Sequence, residues 1–184
     1  QDDLDPDYLD IDYAPTSDST EPVSVRPVPR LLHDIRALDT LTSSTTPPLR
    51  LVRPNKVNSV RYGFGDASGS GFGSTFDEKL AVVYRHGIWG ADDEGTSSNW
   101  RELTNLVEAL ESEAGESRLQ GCEVFMFTDN STAESAFFRG TSSSELLFNL
   151  VLRLRKLELD HQCLIHIVHV AGTRMIGQGS DGLS

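Results

Sequence analysis

Two rhythms of apolar and polar residues divide the chain. In the stretch 30–41, Leu31, Leu32, Ile35, Leu38 and Leu41 recur at three- and four-residue spacings, which predicts a helix. Pro47-Pro48 stops it. From residue 59 the rhythm shortens. Residues 60–67, 72–76 and 80–89 read as strands separated by turn residues, and so close a succession predicts an antiparallel meander. Capping residues at 96–99 open a helix over about 100–114, with Leu103, Leu106, Val107 and Leu110 on one face. A buried-type strand at 123–128 and a short helix at 131–138 follow. A longer helix, capped at 142–144 and running to about 159, carries the stripe Leu146, Leu147, Leu150, Val151, Leu154 and Leu157. The last strand is 164–170. The order β-β-β-α-β-α-α-β predicts an α/β domain: a mixed five-stranded sheet, three antiparallel strands then two parallel, with helices covering its faces.

Charge separates the rest of the chain from this domain. Residues 1–27 are rich in Asp, Pro, Ser and Thr and carry little apolar surface to offset the entropy of ordering, so they read as a disordered acidic tail. Residues 28–58 read as a helix plus a basic connection with Arg50, Arg53 and Lys56, and 59–184 as the domain. Of the 28 acidic residues, eight lie within 1–22, where there is no Lys or Arg; the remaining 20 face 16 basic residues. The net charge of −12 therefore sits mostly on the tail and does not exclude a nucleic-acid partner. Two cysteines, Cys122 and Cys163, are too few for a disulfide framework or a zinc site and read as small buried side chains. No apolar run approaches the ~20 residues that span a bilayer. The reading is a soluble, intracellular protein, cytoplasmic or nuclear, with no membrane partner.

Several acids sit where solvation alone does not explain them. Asp66 follows a strand of apolar residues and glycine, Asp129 ends the interior strand Val124-Phe125-Met126-Phe127-Thr128, and Asp181 lies in a glycine-flanked run after the last strand. Glu102 stands at the opening of a helix, where the dipole alone accounts for a carboxylate. Carboxylates at strand ends suit hard divalent cations, which prefer oxygen ligands. The glycine run 63–73 lacks the Gly-Lys-Ser/Thr of a phosphate-binding loop and reads as hairpin geometry. His166 and His169 read as sheet residues, since zinc ligation finds no further partners.

Four motifs in order then resemble the ribonuclease H family, most closely the ribonuclease H domains of retroelement (retrotransposon) reverse transcriptases. They are Asp66-Ala67-Ser68, Arg101-Glu102-Leu103, Thr128-Asp129-Asn130, and Val170-Ala171-Gly172 followed by Asp181 within Gly179-Ser180-Asp181-Gly182-Leu183-Ser184. The resemblance covers roughly residues 59–184. It implies a metal-dependent endonuclease that cleaves the RNA strand of RNA–DNA hybrids, with Asp66, Glu102, Asp129 and Asp181 holding two Mg²⁺ or Mn²⁺ ions. It further implies hybrid contacts from Ser68, Asn99, Asn130 and Arg174, and a reverse transcriptase domain in the parent polyprotein. The chain departs from the family's pattern where cellular relatives often carry a His after the Val-x-Gly segment, here Thr173-Arg174, and in a last helix expected to be nearly absent. Arg153, Arg155 and Lys156 are read either as a partial substitute for the basic handle of some cellular relatives or as a solvated helix face. The alternative to an enzyme is a catalytically silent scaffold of the same fold that binds nucleic acid or protein.

Overall fold

The computed structural model describes residues 30–43, 59–78, 81–93, 95–178 and 183. The expected tail at 1–27 and most of the basic connection lie outside the described residues, as does Asp181. The elements are α1 (Leu31–Thr42), β1 (Ser59–Ala67), β2 (Gly71–Glu78), β3 (Ala81–Ile88), α2 (Ser98–Gly115), β4 (Cys122–Thr128), α3 (Ser131–Arg139), α4 (Glu145–His161), β5 (Leu164–His169) and α5 (Gly172–Gln178). They form one five-stranded sheet in the order β3-β2-β1-β4-β5. The β1–β2 and β2–β3 pairs are antiparallel, the β1–β4 and β4–β5 pairs parallel, as the sequence predicts.

The helix periodicity becomes the core. Leu103, Leu106, Val107 and Leu110 of α2 and Leu150, Val151 and Leu154 of α4 meet Val124 and Met126 of β4 and Ile165 and Ile167 of β5, all buried. Leu146, expected on the α4 stripe, lies instead at its margin and is exposed. The starts of α2, α3 and α4 are each satisfied by a side chain: Ser97 Oγ accepts from the Trp100 N–H, Asn130 Oδ1 from Ala133 and Ser144 Oγ from Leu147. Gly140, in the left-handed region at φ 70°, ends α3.

Helices flank the sheet and, among the described residues, leave part of its second face open: Val60, Tyr62, Val82 and Tyr84 are exposed, and the stacked pairs Tyr62–Phe125, Phe64–Phe127 and Phe125–His166 run across β1, β4 and β5. Two findings go against the sequence reading. A last helix does form, α5, and it precedes Asp181; Met175 anchors it with 1 % exposure. Finally, α1 turns its apolar stripe outward. It buries Ala37, brings His33 to 3.6 Å from Glu145 of α4 and sets Arg30 over the Phe148 ring, while Leu31, Leu32, Ile35 and Leu38 remain exposed.

Candidate metal centre

β1 and β4 lie side by side and parallel, yet the chain leaves their C-terminal ends in opposite directions. β1 turns back into β2, whereas β4 leads through α3 and α4 to β5. Such a divergence opens a crevice outside the strand ends, where open α/β sheets bind their ligands. Asp66 is the penultimate residue of β1, and Asp129 follows the last residue of β4. α2 brings Glu102 to the same crevice. One carboxylate oxygen from each of the three residues lies within 4.8 Å of the others; Asp66 and Glu102 are buried and Asp129 is exposed.

Glu102 does not stand at the helix opening, where the dipole alone would account for its charge. The helix begins earlier, at Ser98, so Glu102 lies beyond the first turn and is only 6 % exposed. Burial, and then the charges of Asp66 and Asp129, push its carboxyl up to about 8; the Ala67 backbone N–H acts weakly the other way. Among the described residues its Oε2 is buried with no hydrogen-bond partner. An unsatisfied buried acceptor beside two more carboxylates is costly unless a cation completes it. An all-oxygen donor set of this kind suits a hard divalent cation.

The other residues singled out in the sequence fall around this cluster. Asn130 follows Asp129 directly, and its Nδ2 donates to Asn99 Oδ1 at 2.9 Å, which ties the start of α3 to the start of α2. Ser68 shapes the β1–β2 turn: its Oγ accepts from the N–H groups of Gly71 (3.0 Å) and Ser70 (3.2 Å), and its carbonyl accepts the Trp89 indole N–H at 3.0 Å. The glycine run is thus a hairpin. Arg174 is exposed on α5. Gly172, at the start of α5, abuts the site, because a Cβ there would lie 2.9 Å from Asp129 Oδ2. Arg153 pairs with Glu111, Arg155 with Glu158 and Lys156 with Asp160, so these cations are engaged within the domain.

Sequence reasoning missed Asn105. It is fully buried, and its Nδ2 donates to the Asp66 carbonyl at 3.0 Å and to the Gly73 carbonyl at 2.8 Å. One signal was available: a polar residue on the apolar face of α2, one turn beyond Glu102. Gly65 was a second, since any Cβ there would strike Leu106 at 2.5 Å and Asn105 at 3.2 Å.

No family model matches the sequence, and no curated protein does. Solved structures do. RNase H1 from the halophilic archaeon Halobacterium salinarum aligns at TM-score 0.51 and 19 % identity, over 67 % of this chain and 92 % of its own. LC11-RNase H1, solved in complex with an RNA/DNA hybrid, aligns at TM-score 0.51 and 18 % identity, over 67 % and 91 %. The N-terminal RNase H domain of a Mycobacterium tuberculosis protein aligns at TM-score 0.51 and 16 % identity, over 67 % and 93 %. Among the described residues no helix is long and apolar enough to cross a membrane. At these identities it is the architecture that is shared: the fold of this chain is ribonuclease H-like.

Proposed function

We propose that this chain cleaves the RNA strand of RNA–DNA hybrids in a reaction that depends on divalent cations. The observation that carries the reading is the convergence of Asp66, Glu102 and Asp129, with a buried Glu102 oxygen left without a partner among the described residues, at the diverging ends of β1 and β4. Asp181 would be the fourth carboxylate. Two Mg²⁺ or Mn²⁺ ions held there supply activation of the attacking water and charge stabilisation at the departing 3′ oxygen.

The chain's own residues would do the rest. Asp66 and Glu102, buried and fixed by the sheet and helix, would offer carboxylate oxygens to the cations, Glu102 by giving up its proton to them, and Asp129 would face the solvent side from which substrate arrives. The bridge between Asn99 and Asn130 presents amide groups suited to a shallow minor groove with its 2′-hydroxyls, the feature that distinguishes RNA from DNA. Ser68 in the β1–β2 turn and exposed Arg174 would make phosphate contacts, which position a duplex without reading its sequence. The similarity to an RNase H1 solved with an RNA/DNA hybrid supports this substrate class. The motif set also supports a retroelement module that works beside a reverse transcriptase domain.

The test is cleavage of labelled RNA–DNA hybrid, double-stranded RNA and double-stranded DNA with Mg²⁺, Mn²⁺ or EDTA. Cutting of the hybrid's RNA strand alone, abolished by EDTA, is the expected result. Hybrid binding without cutting in either metal would favour the silent scaffold, and cutting of duplex DNA would indicate a different nuclease on the same fold.

A further inference from the structure

Glu102 and Asn105 stand three residues apart on α2 and therefore share a helix face. Glu102 points to the carboxylate cluster; Asn105 reaches the backbone of the strand that carries Asp66. Its two amide protons go to the carbonyls of Asp66 and Gly73, which are cross-strand partners on β1 and β2. Its Oδ1 accepts from Arg85 Nη1 of β3 at 3.4 Å, and Arg85 returns to α2 through Glu108 at 2.5 Å. The contact is possible because position 65 lacks a Cβ. One helix is thus stitched across three successive strands, and the stitch ends on the main chain of a carboxylate ligand candidate.

We propose that Asn105 is a positioning residue that sets the separation between Asp66 and Glu102, and with it the affinity of the cation those carboxylates share. The inference rests on the reading that Asp66 and Glu102 hold a divalent cation. A buried amide that served only to fill its hydrogen bonds would not need to end on Asp66, nor to be carried by the helix that carries Glu102. Because two acids that repel each other are held together before any cation arrives, a rigid spacer between them does work that the acids cannot do themselves.

The test uses the full chain and Mn²⁺ binding by calorimetry and electron paramagnetic resonance, with melting temperature read in parallel. The variants are Asn105→Leu, Glu102→Gln and the double substitution. Asn105→Leu is expected to weaken Mn²⁺ binding about tenfold or more, the scale seen when a partner behind a metal ligand is lost. In the Glu102→Gln background the same change should add little, because there is no separation left to set. Unchanged Mn²⁺ affinity in folded Asn105→Leu, or an equal loss in both backgrounds, would overturn the proposal. Should Asn105→Leu not fold, Arg85→Met removes only the far anchor: a smaller weakening supports the brace, and none overturns it. Failure of the underlying reading looks different, since Glu102→Gln would then bind Mn²⁺ as well as the unaltered chain.

Discussion

α2 carries two buried glutamates, Glu102 and Glu113, and their surroundings could hardly differ more. Glu113, 3 % exposed, receives Arg61 Nη1 at 2.6 Å and Arg118 through Nε at 2.9 Å and Nη2 at 2.8 Å. Arg61 also donates to the Asp77 carbonyl and lies over the Phe76 ring. Arg61, Arg118 and Glu113 answer one another's charge within the chain. About 16 Å along the helix axis, Glu102 is nearly as buried, yet the charges that act on it are those of Asp66 and Asp129, and among the described residues one of its oxygens has no hydrogen-bond partner. The same helix and the same strand, β1, frame both clusters. The first is a finished ion pair that fastens helix to sheet; the second is an unbalanced set of acids, the arrangement expected where a cation from solution completes the structure.

Substitutions should therefore have opposite signatures at the two ends. Asp66→Asn or Asp129→Asn is expected to abolish hybrid cleavage, by roughly three orders of magnitude or more on the scale of losing a group that acts in the transition state. The fold should stay intact, and relief of repulsion should hold or raise the metal-free melting temperature. Near-normal cleavage by either variant, measured on labelled hybrid, would remove the carboxylates from the reaction. Glu113→Leu should do the reverse. It strands the buried Arg61 and costs about 3–5 kcal/mol, the usual penalty for breaking a buried pair on one side. Mg²⁺ affinity, normalised to folded protein, should not move. Denaturant unfolding with and without Mg²⁺ checks both halves, and a Glu113→Leu variant that lost metal affinity but not stability would break the contrast.

Much of this was legible in the sequence because it is local. The β1-β2-β3 meander follows from short turns and alternation, and Asp66 and Asp129 stood out as charges at the ends of strands that should be interior. What was not legible depends on long-range partners. The Arg61–Glu113 pair spans 52 residues, and no local pattern distinguishes a glutamate that will meet arginine from one that will meet aspartate. Asn105 was hidden for the same reason, since its partners are carbonyls on two strands. The periodicity of α1 correctly marked a helix but could not say which side faces the domain; Ala37 and His33 meet α4 and the leucines do not. Helix α5 went unseen because Gly172-Thr173-Arg174 gives weak propensity, and buried Met175 holds it by tertiary contact.

The proton on Glu102 gives a further handle on the proposed cation. In the metal-free protein Glu102 is raised from 4.5 to about 8, so between those values the folded chain keeps a proton that the unfolded chain has released. Stability then depends on pH with the sign of protons bound in the unfolded state minus those in the folded state, which is negative here. The contribution of this group is fully present below its unfolded value and is lost as pH rises through about 8, at up to about 1.4 kcal/mol per pH unit. Mg²⁺ competes for the same carboxylate and must displace that proton at pH 6 but much less of it at pH 9. The rise in melting temperature on adding a fixed Mg²⁺ concentration should therefore be larger at pH 9 than at pH 6. Glu102→Gln should flatten the metal-free decline across this window. A Mg²⁺ shift that is equal at both pH values, or a decline that survives in Glu102→Gln, would mean that Glu102 does not exchange its proton for the ion.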